Sequence, residues 1–422
     1  MPDDRPVETP RVTFRDVFAV AEFRALWLAQ LLSVAGDQLA RVAMTVLVYD
    51  RTHSPLWSAL TFAVTFLPWI IGGLGLSGLA DRLPRRQVMI TCDLARMALV
   101  CLMALVITVV AASIALPVMV ALLFLVTLLN SPFKSARSAL VPDILAGEKY
   151  VLGTAVTQIT FQLGMVSGFA LGGLVVAGLG VRAALLTDAA TFAVSALLVG
   201  VGVRRRPAAI DVAGRAASHP SQFADMLTGA RLVFGDVTLR RLMLFGWLVA
   251  FYAVPMGLAA PYAARFRGLP LAVAAGLIFA AVPLGSIVGA LVFSRAVPAA
   301  QRQRWMGPLA VSSCGLLVLC AGQPGLIASL AIFALSGACA AYQITANAAF
   351  VAAVPAERRG QAFGLANGGM QVSQGLWFVA AGAAAETVSP AVVIAISAGL
   401  GAAVAAALAI NWSPRAAALT PD

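Results

Sequence analysis

The chain has 422 residues, 61% of them hydrophobic and only 11% charged, and its mean hydropathy is +0.92. An ordinary soluble domain cannot hide that much apolar surface, so the composition excludes a soluble enzyme or binding module. The formal charge of +11 would suit a nucleic-acid partner, but the placement of the cations, described below, argues against one.

Residues 1–25 read as a charged tail with a short amphipathic piece around Phe14 to Phe23. The tail lacks the basic, apolar and small-residue regions of a cleaved signal peptide. Twelve apolar stretches follow, expected at 26–49, 55–79, 87–112, 115–140, 151–177, 182–203, 242–262, 270–294, 304–322, 325–352, 361–384 and 388–411. Such stretches cross a bilayer as helices, and no barrel-type alternation offers another way to satisfy the backbone in lipid. The expected fold class is therefore all-α integral membrane, with 12 transmembrane helices as two six-helix bundles. The bundles occupy 26–203 and 242–411, with a cytoplasmic basic linker at 204–241 and a C-terminal tail at 412–422.

Span 1 contains SVAGDQLARVAM, which puts Asp37 and Arg41 one helical turn apart near mid-membrane. A charge there costs about 2.5–3.5 kcal/mol on insertion scales. The acid-before-base order at i, i+4 suits an intrahelical pair. The alternative is a face lining a wet cavity, where Asp37 carries a proton or meets a cationic substrate. Burial raises a carboxyl's pKa and a nearby arginine lowers it, so its protonation could change with access. After span 2, GLSGLADRLPRRQVM crowds Asp81, Arg82, Arg85 and Arg86 into a short turn. Asp93 and Arg96 lie in span 3 at i, i+3 and read as a buried charge pair. Lys134 and Arg137 are assigned to the cytoplasmic end of span 4. Span 5 carries GMVSGFALGG, in which Gly164, Gly168, Gly172 and Gly173 allow close helix packing. Asp188 lies in span 6, where it either faces the cavity or turns outward. Gln158, Gln162 and Phe161 in span 5, Trp247 and Tyr252 in span 7, Tyr342, Gln343 and Asn347 in span 10, and Asn367, Gln371, Gln374 and Trp377 in span 11 are candidate cavity walls. The strongest candidates for proton coupling or substrate binding are Asp37, Arg41, Gln158, Asp188 and Gln371.

With the N-terminus inside, 23 of the 29 Lys and Arg fall in segments on the inner side and 4 in outer loops. That asymmetry puts both termini in the cytoplasm and accounts for the net charge without nucleic acid. The halves also echo each other: ALVPDILAGEKYVLGTAVTQ after span 4 resembles AAVPAERRGQAFGLANGGMQ after span 10, with Pro142 matching Pro355, Gly147 Gly360 and Gln158 Gln371. Repeated halves mark secondary transporters, whose substrate sites lie near the midplane between repeats.

The loop from Leu79 to Arg86 resembles the loop 2–3 signature of the major facilitator superfamily, with Ser77 and Pro84 in place of its glycines. The resemblance implies a cytoplasmic gating latch, with Asp81 against the N-terminus of helix 11 near Gly360, where the helix dipole favours an anion. The span 5 glycines are similar to the superfamily's antiporter signature, with Phe169 where proline is usual. In the superfamily this implies a helix contact that seals the outer leaflet. The stretches GDQLARVAMTVLVYDRTHSP, ADRLPRRQVMITCDLAR and SPFKSARSALVPDIL resemble the macrolide-efflux and enterobactin-exporter branch. That likeness implies proton- or ion-coupled export. Span 4 lacks the arginine motif of many drug:proton antiporters, so their coupling scheme does not transfer simply.

No Walker-type phosphate loop is present, since Phe133 and Glu148 precede the two lysines. The five cysteines lie in apolar spans and the two histidines are far apart, so neither metal nor cofactor is expected. No catalytic set is present, and an enzyme is not expected. The expectation is a monomeric plasma-membrane transporter exporting a small amphipathic compound, such as a drug, siderophore or metabolite, and contributing to multidrug resistance. An importer on the same fold, or a non-transporting scaffold or sensor, are the alternatives.

Overall fold

The computed structural model describes residues 13–66, 68, 83–206, 222–355 and 358–410. Among them the regular elements are all helical. The chain enters through α1 (Phe14–Phe18), whose Val17 is buried, and Phe18 packs edge-on against Phe23 and Trp27. Next comes α2 (Ala21–Thr52), 32 residues long. At 1.5 Å per residue it is about 48 Å long, more than a hydrocarbon core needs. His53 closes it in the left-handed region at φ 51°. Ser54 then caps α3 (Pro55–Ala63), accepting from the Trp57 N–H at 3.2 Å, with Pro55 at the first helical position where no donor is needed.

The next elements are α4 (Arg85–Val109), α5 (Ala112–Leu128), α6 (Asn130–Ile144) and α7 (Glu148–Gly202). Together α5 and α6 make the single expected span 4, with a break at Leu129, shortly before Pro132, which has no N–H to donate back. Within α7, Gly180 sits at φ 83°, ψ 168°. This glycine lets the chain reverse, so Gly153 packs on Phe23 while Gly202 returns to Ala25. Hence α7 is two antiparallel limbs, the expected spans 5 and 6.

Within the expected linker 204–241 lies α8 (Gln222–Gly235), and α9 (Val237–Trp247) also starts before the linker's expected end. Short turns continue α9 as α10 (Val249–Tyr252), α11 (Val254–Gly257) and α12 (Ala259–Ala263), a stretch interrupted by Pro255 and Pro261. Then follow α13 (Leu271–Ala296), α14 (Ala299–Gly315) with a 3-10 extension to Gly322, α15 (Leu326–Cys339), α16 (Tyr342–Ala353), α17 (Arg359–Ala384) and α18 (Pro390–Ile410). Nine helices among the described residues are long and apolar enough to cross a membrane, counting the doubled α7 once.

Small residues set the closest helix contacts. A Cβ on Gly168 would lie 2.5 Å from the Ala35 carbonyl, and one on Gly172 3.0 Å from the Leu39 Cα. Gly164 meets Val34, so three of the four signature glycines pack the first limb of α7 on α2. Gly173 points elsewhere: its Cβ would lie 2.5 Å from the Ala272 carbonyl of α13, and a Cβ on Gly276 would lie 2.7 Å from that of Phe169.

This α7–α13 contact lies at the end of the bundle away from the chain's entry at Ala21. The same end holds α3 against α17. There Glu386 accepts from the Ser54 hydroxyl and, at 2.9 Å, from the Leu56 N–H. Gly382 sits under Ala59 and Leu56. Behind these contacts is an aromatic plug. Phe169 stacks on Phe279 with centroids 5.0 Å apart, and Phe62 lies 5.3 Å from both Phe279 and Phe378.

At the opposite, basic end, Arg85 donates to Asp143 at 2.5 Å and to the Ala139 carbonyl at 2.9 Å, and Arg86 donates to the Gly200 carbonyl. These two members of the expected gating loop tie α4 to α6 and to the second limb of α7. Asp81 and Arg82 lie outside the described residues.

Overpacking at Gly168 should cost about 1–3 kcal/mol. Gly168→Val is expected to lower the Tm of the purified protein in detergent. Gly178→Val, where a Cβ meets nothing within 4 Å, should leave it unchanged.

Candidate functional site

Along α2, Gln30, Ser33, Asp37 and Arg41 recur every three or four residues and so share one face. The same spacing aligns Asn130, Lys134 and Arg137 on α6, and Gln371, Gln374 and Phe378 on α17. All of these line one central cavity of about 330 Å³. The first limb of α7 adds Phe161, Gln162 and Met165, α10 adds Tyr252, and α13 adds Pro283 and Ser286. A volume near 300 Å³ is the lower range for pockets that take drug-sized ligands.

Behind the α2 face lies the fully buried Arg96 of α4. Its Nη2 donates to both carboxylate oxygens of Asp37, at 2.7 and 2.9 Å. Its Nη1 reaches Asp93 Oδ1 and Ser33 Oγ, each at 3.4 Å. The guanidinium lies 4.0 Å from the Phe192 ring centroid and 5.7 Å from that of Phe133. A single side chain thus touches α2, α6 and the second limb of α7 from its place on α4. Asp93, fully buried, accepts the Ser195 hydroxyl at 2.6 Å through its other oxygen. The expected Asp93–Arg96 pair is present, but the shorter bonds go to Asp37.

That observation corrects the intrahelical reading of span 1. Asp37 turns to Arg96, and Arg41 lies 5.3 Å over the Phe62 ring instead. The physical reason is burial. A guanidinium always carries its charge and has five N–H groups. Enclosed beside Asp93 alone, it would keep unmet donors, and Asp37 supplies two acceptors.

Asp188 faces inward. It is 1% exposed, and its Oδ1 lies 3.4 Å from the Thr191 hydroxyl while Oδ2 has no hydrogen-bond partner. Gly36 leaves the space it occupies, since a Cβ there would strike Asp188 Oδ1 and Thr191 Oγ1. A small cavity of about 20 Å³ is lined by Asp188, Asp37, Arg41, Thr65 and Asn130, among others. That is room for about one water molecule.

Of the other candidates, Gln371 lines the central cavity. Gln158 does not: it is exposed one turn short of the cavity wall, where Gln162 stands instead. Trp247 donates to the Ala366 carbonyl at 2.9 Å and serves α9–α17 packing. Lys134 and Arg137 are not charges at a helix end. They line the cavity, with Lys134 Nζ 5.5 Å from the Phe161 ring centroid. The signal available in the sequence is their helical spacing: Lys134 is four residues after Asn130 and three before Arg137, so the three share one face. Among the described residues no His, Cys, Asp or Glu cluster could hold a metal ion.

A family model described as the Major Facilitator Superfamily matches residues 26–321. The chain belongs to the major facilitator superfamily. The enterobactin exporter EntS of Salmonella typhi is 29% identical over 282 residues, covering 64% of this chain and 62% of the exporter. An uncharacterized MFS-type transporter, YkuC, of Bacillus subtilis (strain 168) is 29% identical over 185 residues, covering 44% of this chain and 42% of its own. The chain therefore matches these curated relatives over 42–62% of their length. Among solved structures, a bacterial homologue of the iron transporter ferroportin in an inward-facing state aligns with a TM-score of 0.68 at 12% identity, covering 94% of this chain and all of that one. The nucleoside transporter NupG aligns with a TM-score of 0.67 at 14% identity, covering 92% of this chain and all of its own. These structural likenesses show the fold.

Removing Arg96 strands the buried Asp93 and the partly buried Asp37 without their cation, which costs about 3–5 kcal/mol. Arg96→Met should abolish a folded peak in size-exclusion chromatography or depress its Tm severely. Adding Asp93→Asn and Asp37→Asn to that variant should recover much of the loss, and no recovery would show that Arg96 acts by packing alone.

Proposed function

We propose that the chain is a secondary active exporter of a small amphipathic compound, working by proton-coupled alternating access in the plasma membrane as a monomer. The halves 26–203 and 242–411, joined by the linker 204–241, rock about the central cavity. The basic end faces the cytoplasm, as the positive-inside asymmetry requires. Closure of the far end through Phe169, Phe279, Phe62 and Phe378 then makes the present arrangement inward-facing. Export, rather than import or a sensing role, is supported by the relative named as an enterobactin exporter.

The observation that carries the coupling is the buried ion network at the cavity edge. Asp37, 18% exposed at its side chain, is its member in contact with the cavity, while Arg96 and Asp93 are sealed behind it. Charging a buried carboxylate whose Oδ2 has no donor is costly. Either a proton on Asp188 or a donor brought in by helix movement removes that cost. The water-sized cavity beside Asp188 gives a proton a path to Asp37. Asp37 and Asp188 are therefore the coupling pair, with Arg96 the group whose partners change. Asp81 and Arg82, from the loop resemblance, act with Arg85 and Arg86 in closing the basic end.

In inside-out vesicles carrying the protein, an acidified lumen should drive uptake of a lipophilic compound found by screening, and a protonophore should abolish it. Asp188→Asn and Asp37→Asn should each reduce proton-driven uptake to background while leaving the protein in the membrane. Full proton-dependent uptake by Asp37→Asn would remove Asp37 from the mechanism, and the same result for Asp188→Asn would remove Asp188.

A further inference from the structure

The charges on the cavity wall are lopsided. Among the described lining residues, Asp37 is the single acid, against Arg41, Lys134 and Arg137. Asp37 is already held by two short bonds from Arg96, so its charge is matched before anything enters. Asp93 and Asp188 do not reach this wall. All three lining cations come from α2 and α6. The facing wall, from α10, α13 and α17, contributes aromatic, hydroxyl and amide groups such as Tyr252, Ser286, Gln371 and Phe378, and no charge.

Asp37 is the one counter-charge among the described lining residues, and Arg96 shares it. Arg137 Nε is buried without a hydrogen-bond partner. Arg41 rests on the face of Phe62 at 5.3 Å, a contact worth far less than an ion pair to a desolvated guanidinium. Cations in a low-dielectric membrane cavity are costly unless matched. An anion between α2 and α6 would match the guanidiniums of Arg41 and Arg137.

We infer that the cavity binds an organic anion, with its acidic group between Arg41, Lys134 and Arg137 and its apolar or aromatic body against Phe161, Phe378 and Tyr252. The inference rests on the transporter reading and narrows its substrate class. It excludes the lipophilic cations that Asp37 alone would suggest, because Arg96 already occupies that carboxylate. A carboxylate and a sulfonate share the required chemistry. Arginine's planar fork binds such groups through two parallel bonds.

The test uses matched probes on the full chain in nanodiscs of zwitterionic lipid: naphthaleneacetate, naphthaleneacetamide and naphthylethylamine, followed by calorimetry. The acid should bind about tenfold tighter than the amide, the effect of roughly one ion pair, and the amine weakest. Arg137→Gln and Arg41→Gln should each erase most of the preference, and Arg137→Lys should keep it. If Arg137→Gln does not fold, Arg41→Gln alone carries the test. Equal affinities, a preference for the amine, or no binding of the acid at millimolar concentration would overturn the anion site. Flux separates the two readings. An acid that binds with the expected preference, but with no probe moved under either a pH gradient or a membrane potential, keeps the anion site and removes the transporter. An amine that binds tightest and is exported does the reverse.

Discussion

The bundle around α2 depends on one buried guanidinium. Arg96 cannot shed its charge, and water does not reach it. Its charge is matched, with Nε alone left without a partner, only if α2, α4, α6 and the second limb of α7 converge to give it two carboxylates, a hydroxyl and two aromatic faces. A cluster of this kind fixes rotation as well as position. Turning α2 by one residue would withdraw Asp37 and Ser33 together and leave Arg96 exposed to lipid-like surroundings. With α2 fixed by Asp37, its i+4 neighbour Arg41 must face the cavity. The polarity of the cavity thus follows from the burial of a residue that does not line it.

The contact at the end of the bundle away from Ala21 shows the complementary constraint, where close approach matters more than charge. The four glycines of α7 serve two partners. Gly164, Gly168 and Gly172 bring α7 onto α2, and Gly173 brings it onto α13. Between the last two turns stands Phe169, in the place where proline is usual. A proline would kink the helix. Phenylalanine instead adds a flat ring that stacks on Phe279 and continues to Phe62 and Phe378. Glycine lets the backbones touch and the aromatic stack fills the gap beside them. Separating the two halves at this end would expose the stack and break the Glu386 cap on α3 at the same time.

Much of this was legible in the sequence because hydrophobic length and glycine spacing are local signals. The span boundaries agree with the described helices within a few residues, from Arg85–Val109 to Pro390–Ile410. Asp37 stood out because a charge in mid-span needs a reason. Its partner did not, because the i, i+4 rule sees only its own helix. Arg96, 59 positions away, was matched to Asp93 by the same logic, half correctly. The positive-inside count favours placing Lys134 and Arg137 at a helix end, whereas they line the cavity. Both stand on the face of α6 that carries Asn130 to the cavity, and which face turns inward is not written in composition. Gln158 fell one helical turn from its correct neighbour Gln162, the usual size of error when a face is assigned without knowing where the cavity rim lies.

The sign of the cavity bears on how a proton could be coupled to substrate. A cationic drug and a proton compete for one carboxylate, so exchange follows from rivalry at a single site. An anion and a proton attract each other instead. Exchanging an internal anion for an external proton moves positive charge inward twice, and an inside-negative potential favours each charge by about 2.3 kcal/mol per 100 mV. The thermodynamics are good, but the two ligands must be kept from travelling together. The geometry separates them. Arg41, Lys134 and Arg137 face the cavity, whereas Asp93 and Asp188 lie behind α2 at 0% and 1% exposure. On the proposed reading α2 separates an anion-binding side from a carboxyl side, and Asp37, Arg41 and Asn130 line both the central cavity and the small one beside Asp188. Coupling, on that reading, reduces to whether Asp37 holds Arg96 or releases it. A release frees a fourth cation at the cavity edge when Asp37 is neutral, and re-forming the pair withdraws that cation as the proton leaves.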